Sequence, residues 1–276
     1  MGPIITRVQL LRSYVAELVS NGLPEMTGDT TCEALFIVDG VGGFQAAPLM
    51  IRRALRQAGS PMGTILYRWQ FGLPGEIWTD LMWHRRNQLK GRQLARRILA
   101  FHRANPQATI QLFACSGGVG VSLFALEAIY RCRTPGHTES VGNRTLPIID
   151  TLVLACPAVS PEYNLTTALG VVRRCYALVS HRDSIILGLG TRIFGTTDRR
   201  FMKSAGMVGF RIPPGLTNQQ AARYERIREI HWSSEFTKQG HGGGHSGSIS
   251  LPFLKNHLIP LLAGAPKLPT QPVRQE

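Results

Sequence analysis

Acidic residues are scarce in this 276-residue chain: 17 Asp and Glu stand against 31 Lys and Arg, a formal net charge of +14. A field of that sign draws a protein toward nucleic acid, anionic lipid or acidic substrates. Long apolar runs are missing as well, and none reaches the roughly 18 to 20 residues that a helical membrane span needs. Cysteine is sparse and odd in number (Cys32, Cys115, Cys132, Cys156, Cys175). No C-x-x-C pair occurs, so neither a disulfide framework nor a cysteine-ligated metal site is indicated, and reduced, mostly buried thiols are expected. Met1 to Val19 carries Arg7, Arg12 and Glu17 in an amphipathic pattern and lacks the apolar core of a secretory leader, which makes cytoplasmic residence the expectation.

Apolar residues (43%), glycine (29) and proline (17) are plentiful, enough for one compact domain with ordered turns. Arginines come in pairs (Arg52-Arg53, Arg85-Arg86, Arg96-Arg97, Arg173-Arg174, Arg199-Arg200) without interleaved aromatics or a nucleic-acid motif. The pairs predict a solvated basic surface with weak attraction to anionic surfaces and no specific nucleic-acid partner.

Short apolar runs alternate with helical periodicity along the chain. A surface helix is expected from Arg7 to Asn21. Strands are expected over Glu33–Asp39, Thr64–Trp69, Thr109–Ala114, Ile148–Cys156 and Cys175–Ser180, with a sixth near Ile227–Trp232. Helices are expected over Ala46–Ala58, Trp78–Ala104, Gly118–Tyr130, near Leu165–Val172 and over Leu251–Leu262. This predicts an α/β fold with a doubly wound, mostly parallel sheet of about six strands and helices on both faces. Residues 1–264 would form the domain, with an irregular, glycine-rich stretch at 187–228 as an inserted cap or lid. Residues 265–276 would form a loose tail.

Between the third strand and its helix lies Phe113-Ala114-Cys115-Ser116-Gly117-Gly118. A serine on a sharp strand-to-helix turn needs small residues two positions to either side, and Ala114 and Gly118 meet that need. A frame shifted onto Cys115 offers a thiol instead, but places bulky Phe113 where a small residue belongs. Asp39-Gly40-Val41-Gly42-Gly43 follows the first strand. Ser180-His181-Arg182-Asp183 follows the fifth, and Asp198 is a more distant carboxylate. Gln239-Gly240-His241-Gly242-Gly243-Gly244-His245-Ser246-Gly247 precedes the last helix. The i, i+4 spacing of its histidines would suit a metal only on a helix, which Gly242-Gly243-Gly244 argues against, so neither metal nor cofactor is expected. His84, His102, His137 and His257 receive no role.

With these motifs in this order, the chain from about Glu33 to Leu262 resembles the α/β-hydrolase superfamily, its serine esterases and lipases in particular. The resemblance implies Ser116 as nucleophile, Asp183 as the acid, and His245, or alternatively His241, as the base. It also implies an oxyanion hole from the amides of Val41 or Gly42 and of Gly117. Asp39 stands where family members often carry histidine. Trp69, Phe71 and Trp78 are candidate walls of an apolar acyl pocket. The implied activity is hydrolysis of a small or lipid-like carboxylic ester through an acyl-enzyme, with thioesterase or amidase chemistry as an alternative. A hydrolase-like protein without activity, binding an anionic partner through its basic surface, is the rival from another class.

Overall fold

The computed structural model describes residues 22–70, 80, 82–133, 147–183 and 196–273. Among these residues, eight strands form one sheet in the order β1-β3-β2-β4-β5-β6-β7-β8. They span Met26–Thr27 (β1), Asp29–Val38 (β2), Met62–Tyr67 (β3), Thr109–Cys115 (β4), Ile149–Ala155 (β5), Val172–Val179 (β6), Ile227–His231 (β7) and Gln271–Pro272 (β8). Every neighbouring pair from β3 to β7 is parallel, and only the short outer strands β1 and β8 run antiparallel. The six parallel strands fall on the five apolar runs of the sequence and on the sixth strand expected near Ile227–Trp232. The outer pair lies beyond the expected six. The expected helix at 7–21 lies outside the described residues.

Strand alternation builds two separate cores, because successive side chains leave a sheet on opposite sides. Ala34, Phe36 and Val38 of β2, with Ile110, Leu112 and Ala114 of β4, meet Leu94 and Ile98 of α2 (His84–Ala104) and Val121 and Ala125 of α3 (Gly117–Arg133). On the other face, Leu35, Ile37, Phe113 and Cys115 meet Ile51 and Leu55 of α1 (Ala46–Gln57) and Phe253, Leu258 and Leu262 near the C-terminus. Helices therefore cover both faces, as the near-continuous apolar strands require. The expected C-terminal helix is broken into Leu251–Phe253, a π-turn at Leu254–Leu258, and Ile259–Leu262. Pro260 has no N–H to continue the hydrogen-bond ladder, which gives the break a local cause.

Two other expectations need correction. Arg52 is not part of a solvated surface: it is buried, and its guanidinium donates to Thr64 Oγ1 (2.9 Å), Pro24 O (2.8 Å) and Glu25 O (3.2 Å), tying the entry segment to α1. The residues after 264 are not loose throughout, since β8 pairs with β7 and Val273 is buried in the sheet's first core. All five cysteines are free thiols, as expected, but Cys32 and Cys132 are exposed while Cys115, Cys156 and Cys175 are buried. Among the described residues, no helix is long and apolar enough to cross a membrane.

Part of the expected cap, 187–195, lies outside the described residues. From 196 onward the chain lies over the carboxyl ends of β5 and β6: Ala205 N–H donates to Val159 O (2.8 Å), Gly206 N–H to Pro157 O (2.9 Å) and Ser180 N–H to Gly206 O (2.8 Å). It returns through short helices at Ala205–Val208 and Asn218–Ala222 and a 3₁₀ turn at Arg223–Arg226. Buried Glu229 anchors this return, accepting from Phe210 N–H (2.5 Å) and His231 Nε2 (2.8 Å).

Candidate active site

Ser116 sits between the end of β4 and the first turn of α3 with φ of 52°, a left-handed conformation that a non-glycine residue rarely adopts. Such a backbone costs on the order of 1–3 kcal/mol and persists only where its surroundings enforce it. Here they do. Ser116 N–H donates to Ala155 O (2.9 Å), and Ser116 O accepts from Val119 N–H (3.1 Å) and Ala158 N–H (3.3 Å), which pins the turn to the carboxyl end of β5. On its other side, a Cβ built on Gly118 would lie 2.3 Å from Asp39 O, and one on Gly117 2.6 Å from Val41 Cγ1. The small residues thus let the elbow press against the loop after β2. Gly40 faces the serine, and a Cβ there would lie 3.3 Å from Ser116 Cβ.

That loop is held from several directions. Asp39, buried, accepts from Gly40 N–H at 2.8 Å. Burial pushes its carboxyl up to about 6, against the opposing pull of the amides of Gly40, Ala47, Ala46 and Gln45. The carboxylate therefore serves both the loop and the amino end of α1, which explains an acid at this position. Trp69, fully buried, donates its indole N–H to Asp39 O (2.8 Å), and Gln70 Nε2 donates to Gly40 O (2.6 Å). Gly42 N–H donates to buried Asp80 at 2.9 Å, and Arg86 pairs with the same carboxylate at 3.4 Å. Gly42 is thereby engaged and ill placed as an oxyanion donor. Val41, whose side chain lies against Gly117, keeps that candidacy together with the Gly117 amide at the positive end of α3.

Asp183 and His245 are brought together although 62 residues apart: His245 Nδ1 lies 2.5 Å from Asp183 Oδ2, with Asp183 buried and His245 partly open to solvent. Three contacts position the histidine loop. Ser180 Oγ donates to Gly243 O (2.5 Å), Trp232 Nε1 donates to His241 O (2.7 Å), and the Arg182 guanidinium stacks 4.5 Å from the Trp232 ring centre. With Nδ1–H committed to the carboxylate, a neutral His245 keeps Nε2 as a proton acceptor. Asp198 is employed elsewhere, accepting from Ser160 N–H (2.9 Å) and Ser160 Oγ (2.5 Å).

His241 is buried, stacks on Phe236 and meets the edge of Phe253, with Gly247 pressed against its ring. Burial pushes it down to about 4, overriding Asp183, which raises it, while His257 lowers it further. It is a neutral packing group. Because its folded pKa is depressed from 6.5, its stabilising contribution is full above about pH 6.5 and is lost as pH falls through about 4. Asp39, raised from 3.8, works in the opposite sense: its contribution is full below 3.8 and is lost as pH rises through about 6. Both groups thus titrate over the same range with opposing effects, and a His241→Asn variant separates them. The gap between its melting temperature and that of the wild type is expected to be smaller at about pH 4.5 than at about pH 7. A gap independent of pH would rule out this role.

No protein-family model and no curated protein matches this chain.

Cys115 points into the core, and burial raises its thiol well above 9, with Cys156, Asp39 and Asp183 adding to the effect. It has neither thiolate character nor access. Cys156, by contrast, was given no role on sequence grounds, yet its sulfur, an Asp183 oxygen and a His245 nitrogen lie within 4.8 Å of one another. Its Sγ is 3.6 Å from both His245 O and Ser248 Oγ, so it packs beneath the histidine loop. A metal here would have to displace the Asp183–His245 hydrogen bond and deprotonate a thiol that burial pushes up to about 12. Nothing in the sequence marks Cys156 or Asp80, because each meets its partner only through long-range folding. Of the candidate pocket walls, Trp69 packs beside Gly117, while Phe71 and Trp78 lie outside the described residues.

Proposed function

We propose that the protein is a serine hydrolase of carboxylic esters, with Ser116 as nucleophile, His245 as base and Asp183 as the acid that orients it. The observation that carries this reading is Ser116 at φ 52°, on a strand-to-helix turn at the same sheet end as the 2.5 Å Asp183–His245 pair. Strand order supports an α/β-hydrolase fold. The parallel strands run β3-β2-β4-β5-β6-β7, with the serine after β4, the acid after β6 and the histidine after β7.

In this mechanism His245 Nε2 takes the proton of Ser116 Oγ as the oxygen attacks the ester carbonyl. The negative charge passes to the carbonyl oxygen, facing the amides of Val41 and Gly117. Collapse expels the alcohol, which takes the proton from His245. Water, deprotonated in turn by His245, then releases the acid from Ser116. The triad does not fix the leaving group, so thioesters and amides belong to the same chemistry.

A fluorophosphonate probe tests the assignment on the wild-type protein. Label is expected on the peptide containing Ser116, retained in Cys115→Ala, together with turnover of short-chain aryl esters. A folded protein that takes no label and cleaves no ester overturns the reading.

A further inference from the structure

Phe201 is 72% exposed, whereas the other large aromatics among the described residues are mostly buried. The turn before it is fixed. Thr196 N–H donates to Arg200 O (2.8 Å), Arg200 N–H to Thr196 Oγ1 (3.0 Å), Arg199 holds a left-handed φ of 67°, and Asp198 is tied twice to Ser160. The ring is therefore presented by a structured turn. Beside it, Met202 (36% exposed) and Val208 (37%) line a groove of about 340 Å³ with Pro161, Lys203 and Arg211, and Glu162 supplies its one acid. Arg199, Arg200, Lys203 and Arg211 are all exposed around this apolar point. From 196 to 224 the only acidic residue is Asp198, whose carboxylate is already engaged by Ser160.

An apolar tip ringed by cations matches a surface that is apolar inside and anionic outside. Arginine suits phosphate through its planar fork, and phenylalanine and methionine suit acyl chains. We propose that this patch docks the protein on an anionic phospholipid surface, with Phe201 inserted among the acyl chains and Arg199, Arg200, Lys203 and Arg211 at the phosphates. The patch sits on the segment that covers the carboxyl ends of β5 and β6, the same end of the sheet as Ser116 and Asp183. Docking would therefore turn that end toward the membrane. The binding itself does not depend on the hydrolytic reading and is measured without it.

The test uses the full chain with vesicles of phosphatidylcholine alone and with added phosphatidylglycerol. Wild type is expected to bind the anionic vesicles and not the neutral ones. Phe201→Ser, which leaves the charge unchanged, should weaken binding about tenfold or more. Arg199→Ala and Arg200→Ala should each weaken it about fivefold. Phe201→Trp should shift its emission to the blue on vesicle addition beyond any change in wild type, and millimolar inorganic phosphate should not reverse binding. Melting curves confirm that each variant is folded. Three results would overturn the proposal: no binding to anionic vesicles, equal binding by Phe201→Ser, or no added shift in Phe201→Trp. Preference for short duplex DNA, with Phe201→Ser unaffected, would show that the net charge of +14 alone does the binding.

Discussion

Replacing Ser116 by alanine is expected to abolish probe labelling and to lower ester turnover by about 10⁴-fold or more, while changing stability by no more than about 1 kcal/mol. The stability expectation follows from the site. The turn at Ser116 is held by backbone groups, to Ala155, Val119 and Ala158, and alanine preserves all of them. The activity expectation follows from the proposed mechanism, in which the hydroxyl is the part of the residue that reacts. Asp183→Asn gives the informative comparison. An amide can turn its NH₂ toward Nδ1, so the imidazole would hold its proton on Nε2, the wrong side, at a cost of about 10⁴ in turnover. If the residues act as one unit, the double variant should be scarcely worse than Ser116→Ala alone, because the losses do not add. Turnover that survives Ser116→Ala within tenfold would remove the serine from the mechanism.

Gly118→Ala is expected to cost about 3 kcal/mol of stability. The new methyl would stand 2.3 Å from Asp39 O and 2.8 Å from Val38 O, backbone atoms at the end of β2 and the start of the loop after it. A flexible side chain could step aside, but the end of β2 cannot move without dragging with it the loop proposed to hold the oxyanion donor Val41. Activity should fall with stability for that reason. Gly244→Ala is the control: nothing lies within 4 Å of its Cβ position, and urea unfolding should differ from wild type by no more than about 0.5 kcal/mol. Equal urea midpoints for Gly118→Ala and wild type would refute the close contact between the Ser116 turn and the end of β2.

Five of the six parallel strands were legible because each carries a short apolar run buried on both faces, as in Leu35-Phe36-Ile37-Val38, whereas β7 places Arg228, Glu229 and His231 among its isoleucines. The elbow was legible for a related reason: small residues flank Ser116 where backbones must nearly touch. The two outer strands were not, since two residues of pairing leave no periodicity to detect. Nearness to the closing helix and the small residues after it favour His245 over His241, and the structure adds what these could not: one ring reaches Asp183 and the other is walled in by Phe236 and Phe253. Arg52 misled because a charged pair on a helix looks the same in sequence whether it meets water or three oxygen acceptors. Asp80 and Cys156 depend on neighbours 38 and 89 residues away, a distance over which local patterns carry no signal.

The brevity of β1 and β8 has a consequence for how copies of the chain meet at high concentration. A parallel sheet ending on β3 or β7 would offer a full row of unpaired amides and carbonyls, a template on which another chain could polymerise. Two antiparallel residues at either border interrupt that row, and at one border Pro272 has no amide to offer. Among the described residues the sheet thus ends in stubs two residues long, too short to recruit a foreign strand, which guards an apolar chain against fibrous association.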